Sequence, residues 1–230
     1  ILTGVTGFIG GTLAQSLVRD YDVAALVRRS SLHRAITSQC SLVRQIEIDG
    51  SIERLVSILA AEKPDCVVHL ASLFLSKHED KDIAGLVESN VLFGCQILQA
   101  MAHSSCRYFI NTGTYWQHFN NEDFNPVNLY SATKQAFEDI MRYYCEAEGI
   151  KAITLELYDV YGPGDPRPKL FSQLMKCFQD RCTLELSPGE QRLELVHIDD
   201  VVDAYRIALK RLLSGAVKYI ERYSIRGTER

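Results

Sequence analysis

The sequence predicts an α/β chain: a doubly wound parallel sheet followed by a small, truncated α+β appendage. Three observations carry that expectation. Short apolar runs alternate with stretches of helical periodicity through residue 160, the pattern of parallel strands joined by crossover helices. Three glycines spaced by three, Gly4, Gly7 and Gly10, follow the opening apolar run and precede a helical pattern, as at a sharp strand-to-helix turn. The run Gly162-Pro163-Gly164-Asp165-Pro166-Arg167-Pro168 continues neither periodicity, so the sheet domain is expected over 1–160 and a partial appendage over 161–230.

The elements follow in order. After the glycine turn, Leu13, Ala14, Leu17 and Val18 lie on one helical face, and Val23 to Val27 is the second strand. Leu42 to Ile48 is the third strand, and Ile52, Leu55, Val56 and Leu59 mark the next helix. Pro64-Asp65 turns that helix into the apolar run Cys66 to Leu70, a fourth strand. A long helix is expected from Ile83 to Ala102, with Asn90 a polar residue inside it, and Tyr108 to Ile110 is strand five. Residues 112 to 129 turn polar and aromatic, as a loop does. A second long helix runs from Tyr130 to Glu148 and stops at Gly149. Strand six is Ala152 to Leu157. The appendage has helices over 170–179 and 198–213 and short strands at 183–186 and 194–197.

At 230 residues the chain can bury a sizeable core. Apolar residues make up 47% and the net charge is −4, which gives no reason to expect nucleic acid as a partner. No basic run, signal peptide or apolar run of bilayer length stands out, so a cytoplasmic protein with no membrane partner is expected. Seven cysteines include no C-x-x-C pair and mostly sit in apolar segments, as reduced core thiols do; no metal is expected. The chain opens at Ile1 inside a strand and closes over 224–230 in what looks like a passage between elements, so both ends are expected to be trimmed.

The chemistry is expected at the ends of these elements. A glycine turn opening a helix seats phosphate, because first-turn N–H groups and the positive end of the helix dipole face the anion. Here the spacing is one residue wider than G-x-G-x-x-G. Tyr130 and Lys134 stand four residues apart at a helix start, hence on one face. An unperturbed tyrosine has a pKa of about 10, and a neighbouring ammonium would lower it toward useful acid–base chemistry. Thr112, at the end of strand five, could hydrogen-bond a substrate oxygen beside Tyr130, although alone such a threonine is more often structural. Tyr115 and Trp116 either line a pocket or pack a loop, and His197 either faces a ligand or caps the helix beside Asp199 and Asp200.

Taken together, the glycine spacing, the Asn111-Thr112-Gly113-Thr114-Tyr115-Trp116-Gln117 stretch and the Tyr130/Lys134 pair resemble the extended short-chain dehydrogenase/reductase family, the NAD-dependent epimerase/dehydratase group acting on nucleotide sugars. Further matches are His69-Leu70-Ala71-Ser72, Asn90, Tyr158-Asp159-Val160-Tyr161-Gly162-Pro163-Gly164 and Val196-His197-Ile198-Asp199-Asp200. Residues 111–118 and 126–137 look most like the CDP-abequose synthase branch, which reduces a 4-keto-6-deoxy sugar nucleotide. The resemblance implies a Rossmann-type fold with Tyr130 as general acid or base at the sugar C4 oxygen. It makes Lys134 the residue that lowers the tyrosine pKa and holds the nicotinamide ribose, and Thr112 the one that orients the C4 oxygen. Gly4, Gly7, Phe8, Ile9, Gly10, Leu70, Ala71 and Asn90 would bind cofactor, with Asp49 facing the adenine, and Thr114, Tyr158 and Arg192 would bind substrate. The likeness also implies a homodimer through the two long helices.

Departures refine the expectation. Dehydratases of the family follow the threonine with Asp-Glu, where this chain has Gly113-Thr114, which ranks dehydration low. Strand two ends in Arg28-Arg29 instead of an acidic residue, which favours NADP(H) over NAD(H), since a guanidinium pairs with a 2′-phosphate. Asp159 replaces an asparagine, and Leu193 stands where an arginine is common, with Arg192 beside it. The expected activity is therefore C4 reduction, with a C4 epimerase holding NAD tightly as the alternative and a non-catalytic nucleotide-binding regulator as the third reading.

Overall fold

The structure is a computed structural model describing residues 1–31, 43–167, 169–186, 188 and 193–227. The chain starts in strand β1 (Leu2–Thr3), turns into helix α1 (Phe8–Leu17) and returns as β2 (Ala24–Arg28). Next come β3 (Arg44–Ile48), α2 (Ile52–Glu62) and β4 (Cys66–His69). Helix α3 (Ile83–Val87) passes through a wider π turn (Glu88–Leu92) into α4 (Phe93–Ala102). Strand β5 (Tyr108–Thr114), helix α5 (Leu129–Glu148) and β6 (Lys151–Leu157) complete the part that the sequence made plainest. The remainder holds β7 (Asp159–Tyr161), α6 (Leu170–Asp180), β8 (Leu195–His197), α7 (Ile198–Leu213) and β9 (Ile220–Ile225).

Seven parallel strands form the main sheet in the order β3-β2-β1-β4-β5-β6-β9, and β7 pairs with β8 in a separate ribbon. The order reverses at β1, which lies between β2 and β4, so the crevice for a ligand opens where β1 and β4 end. Alternation along each strand sends side chains to two cores. Val68, Ile110 and Ile153 face α1 and α7, where Leu13, Leu17, Val201 and Leu212 are buried. Val67, Phe109 and Ala152 face the other way, onto Leu55, Leu59, Ile97, Leu98, Phe137 and Met141 of α2, α4 and α5.

Local signals explain the ends of the helices. The Ser51 hydroxyl accepts from the Arg54 amide at 3.2 Å and starts α2. Asn128 and Ser131 bond each other's amides, at 3.0 and 3.2 Å, and start α5, while Gly149 ends it at a φ of 67° that suits a residue without Cβ.

Several expectations are corrected. Residues 220–225 form β9, the seventh strand, and so the passage expected over 224–230 begins inside the sheet. Its sequence, Ile-Glu-Arg-Tyr-Ser-Ile, is mostly polar because an edge strand has one neighbour and an exposed flank. Helix α7 and β9 thus share the layers of the main sheet, and α6 lies outside them. No strand forms over 183–186, where β8 has β7 as its partner instead. Cys66, Cys106 and Cys145 are core thiols, but Cys177 is half-buried and Cys182 exposed, with their sulfurs 2.6 Å apart; Cys40 lies outside the described residues. The stretch Asp80–Ala102, with a mean hydropathy of 1.2, is long and apolar enough to cross a membrane by length and composition alone. In the fold its buried side, Leu86, Ile97, Leu98 and Met101, belongs to the core beneath α2 and α5.

Gly94 sits where α4 meets α5, and a Cβ there would approach Cζ of Phe137 to 2.7 Å. Overpacking of this kind costs about 1–3 kcal/mol. Gly94→Ala is expected to lower the melting temperature by roughly 2–4 °C per kcal/mol in a chain of this size, measured by thermal unfolding; an unchanged midpoint would contradict the packing described.

Candidate active site

The turn after β1 is built for close approach. Gly4 holds a φ of 74°, and a Cβ on it would stand 2.7 Å from the Ala71 amide nitrogen. A Cβ on Gly10 would press into the Gly4 carbonyl carbon at 2.7 Å, so the first turn of α1 lies directly against the strand exit. Gly7 is the N-cap of α1, offers no side-chain cap, and no acidic residue occupies the first turn. The opening amides of α1 are thus left to an external acceptor, and the chain has the cradle a dinucleotide pyrophosphate needs.

Thr3 sets the opposite wall. Its hydroxyl accepts from the Leu70 and Ala71 amides, both at 3.1 Å, and lies 3.0 Å from Nδ1 of His69. A hydroxyl accepting twice still has its proton to give, so it donates to Nδ1 and the imidazole carries its own proton on Nε2. That nitrogen has no hydrogen-bond partner among the described residues and lies among Phe93, Phe109 and Phe137. Burial, with the nearby Lys134 charge, holds His69 down at about 3, so it stays neutral.

These walls and the ends of β5 and β6 enclose a cavity of about 240 Å³. Tyr130, Lys134, Gly113, Thr114, Tyr115 and Trp116 line it together with Gly4, Gly7, Phe8, Ile9, Gly10 and Leu70. The pocket-lining reading of Tyr115 and Trp116 therefore holds. Tyr115 stacks on Tyr158 with ring centres 4.4 Å apart and planes at 7°, and Phe74 meets Tyr130 edge-on at 5.0 Å. Phe74 also packs on Trp116 at 5.6 Å, so aromatic faces surround the phenol.

The electrostatics of the pair differ from expectation. Burial pushes the Tyr130 phenol up to about 12, against the pull of the Ser72 hydroxyl and the Arg167 guanidinium. Burial lowers Lys134 to about 8, and the Glu138 carboxylate works in the opposite direction. The phenol is therefore held protonated across the neutral range, and the ammonium remains charged below about pH 8. The expected lowering of Tyr130 by Lys134 is not seen: the groups that pull the phenol down are Ser72 and Arg167, and desolvation exceeds both.

Thr112 lines the cavity as well, but its hydroxyl is engaged by protein groups. Its hydroxyl donates to the His69 carbonyl at 2.8 Å and lies 2.6 Å from the Tyr205 hydroxyl. Having one proton, it must accept from Tyr205, whose phenol burial raises above its usual value. This hydroxyl ties β4, β5 and α7 together. Thr114, two residues on, accepts from the Trp116 amide at 3.4 Å and keeps its own proton for the cavity.

Asn90 is likewise engaged with protein. Its oxygen accepts from the Ser72 hydroxyl and the Leu73 amide, and its nitrogen donates to the Leu73 carbonyl and Thr133. It fixes the loop after β4 to α5, and the π turn places it there. Arg28 is exposed at the end of β2 opposite Ile48, one residue before Asp49. The Asp49 carboxylate accepts from the Ser51 amide and hydroxyl at 2.9 and 2.7 Å, which lowers its pKa. His197 caps α7, accepting from the Asp199 amide at 3.3 Å. Arg192 lies outside the described residues.

Phe74 and Lys169 at the cavity escaped the sequence reading, and Ser72 and Arg167 were named there without a role in the site. Arg167 makes two 2.7 Å bonds to Asp165 and stands 5.1 Å over the Phe8 ring, and Lys169 reaches Asp159 at 3.2 Å. The breakdown of periodicity over 162–168 was the only signal for Arg167.

A family model described as the NAD dependent epimerase/dehydratase family matches residues 1–220. The chain belongs to that family. It is an enzyme of the extended short-chain dehydrogenase/reductase type, with relatives that are nucleotide-sugar epimerases, dehydratases and reductases. It is 30% identical to a CDP-abequose synthase of Yersinia pseudotuberculosis, over 89% of this chain and 70% of that one. A UDP-glucose 4-epimerase of Lactobacillus helveticus is 26% identical over 93% of this chain and 72% of its own. Among solved structures, a tyrosine-to-phenylalanine mutant of a UDP-glucuronic acid 4-epimerase of Bacillus cereus, in complex with UDP-4-deoxy-4-fluoro-glucuronic acid and NAD, superposes with a TM-score of 0.84 at 26% identity. That match covers 99% of this chain and 77% of the other.

A structural role for the Thr112 hydroxyl has a measurable consequence. Thr112→Val leaves the buried Tyr205 hydroxyl without its acceptor, at a cost of about 1–3 kcal/mol. Denaturant unfolding should show that loss; a variant of unchanged stability with abolished turnover would return Thr112 to the chemistry.

Proposed function

We propose that the chain reduces a 4-keto-6-deoxy sugar nucleotide at C4 with NADPH, in the manner of a CDP-abequose synthase. The observation that carries this is the cavity that sets Tyr130 and Lys134 opposite the glycine turn, where a phenol that holds its proton at neutral pH can deliver it to a C4 oxygen. The relative at 30% identity supports the same reaction class. When bound, the nicotinamide cofactor supplies the hydride. Every other contribution comes from the chain. Gly4, Gly7 and Gly10 seat the pyrophosphate, and Leu70 and Ala71 form the wall beside it. Lys134 holds the nicotinamide ribose. Tyr130 gives its proton to the C4 oxygen, and Thr114 donates a hydrogen bond to the same oxygen, a role first expected of Thr112. Tyr158 lies against the sugar. Arg28, free of the sheet's interior, pairs with a 2′-phosphate and favours NADP(H).

The epimerase reading is supported by the L. helveticus 4-epimerase and by the B. cereus 4-epimerase fold, each at 26% identity. It uses the same residues, with Tyr130 first accepting a proton from the C4 hydroxyl and then returning it. For the assembly we infer a homodimer through α3–α4 and α5, on which Ile83, Val87, Leu92 and Tyr143 are exposed.

The test is stoichiometric. One NADPH should be oxidised per 4-keto-6-deoxy sugar nucleotide converted, and Tyr130→Phe should abolish turnover while leaving cofactor affinity within about twofold; conversion without net NADPH oxidation would establish the epimerase instead. Because Lys134 must be cationic, the rate should fall as pH rises through about 8. Arg28→Ala should weaken NADPH binding about tenfold, the value of one lost charged hydrogen bond, while NADH binding stays level in a fluorescence titration.

A further inference from the structure

Lys134 stands between two cavities. In front is the nucleotide pocket already described, and behind, past the next turn of α5, is a second cavity of about 430 Å³. Glu138 lines the second one with Gln135, Thr154 and Arg222, and Asp123, Asp139 and Arg142 lie farther round its wall. Residues four apart on a helix are neighbours on one face, so Glu138 lies one turn behind Lys134, acting on its charge without a direct ion pair. It is 6% exposed, and Lys134 is 2% exposed.

A buried carboxylate needs partners. Glu138 receives the Asn111 amide at 3.4 Å from β5 and the Arg222 guanidinium at 3.1 Å from β9. Gln117 faces it from the turn after β5. A second buried carboxylate, Glu156 on β6, stands nearby and is held by Arg222 at 3.2 Å, His118 at 2.8 Å and Ser224 at 2.9 Å. Arg222 therefore bridges two acids. On the other side of Lys134, Tyr130 and His69 are neutral, which leaves Glu138 as its anionic neighbour.

We propose that Glu138 is a positioning residue for the proton-transfer site, a rear counter-charge that keeps Lys134 cationic while it is buried. The inference rests on the reaction proposed above for its kinetic consequence, but not for its electrostatic one. Burial alone disfavours the ammonium, and Glu138 is the group that opposes this. Burial also raises the Glu138 carboxyl, while Arg222 and Gln117 pull it back toward the ionised form, so β9 and the turn after β5 support the charge on which Lys134 depends.

Glu138→Gln keeps the shape and removes the charge. It should move the alkaline limb of the rate profile, near pH 8 in the native chain, downward by up to about one unit, as loss of one neighbouring opposite charge does. Glu138→Asp should restore most of that shift. The same comparison is made without substrate, by following the Lys134 Cε resonance in lysine-labelled protein, assigned with Lys134→Met. A lower Lys134 pKa in Glu138→Gln supports the proposal even if no sugar nucleotide is turned over, and an unmoved one overturns it even if the enzyme is active. If the Gln variant does not fold, the native chain decides. Its Lys134 resonance should show a second inflection at acid pH as Glu138 gains a proton, and a single inflection overturns the proposal.

Discussion

The site depends on one buried face of α5. Tyr130, Lys134 and Glu138 follow each other at intervals of four residues, and the helix is pressed so closely onto β4, β5 and β6 that all three ionisable groups respond to lost water more than to one another. Desolvation penalises the charged form of each: it keeps the phenol protonated, weakens the hold of the ammonium on its proton and raises the carboxyl. The fold then offsets that cost unevenly. Glu138 receives Arg222 and Asn111, Lys134 has Glu138, and Tyr130 has only the Ser72 hydroxyl and a more distant guanidinium. In the proposed reaction the result is a proton donor in front of a cation that is itself held from behind.

The backbone at the sheet's edge serves the same end. Gly4 and Gly10 let strand and helix approach without an intervening Cβ, and the Thr3 hydroxyl takes the two amides that leave β4, so the glycine turn and the loop after β4 are fixed against each other. Asn90 fixes that loop in turn to α5 through Thr133. Each of these polar side chains is spent on the protein, and together they set the width of the crevice.

Much of this was legible in the residues. Glycine spacing, helix phase and the position of Tyr130 four residues before Lys134 are local features, and local features survive in a sequence. The doubly wound sheet follows from the same periodicities. What was not legible depends on partners distant in the chain. That the Thr112 hydroxyl is engaged by Tyr205, ninety-three residues later, has no sign in the sequence around it. Strand β9 is polar enough to pass for a connection because, among the described residues, it pairs with β6 alone. The sign of the Tyr130 shift could not be read from a lysine four residues away, since the deciding quantity is how much protein surrounds the ring.

The central claim is that Tyr130 enters the reaction carrying its proton. An ultraviolet difference titration of the native chain against Tyr130→Phe reads that phenol alone. The account predicts that no tyrosinate assignable to Tyr130 forms until well above the ordinary value of about 10, and a phenolate appearing near neutral pH would contradict it.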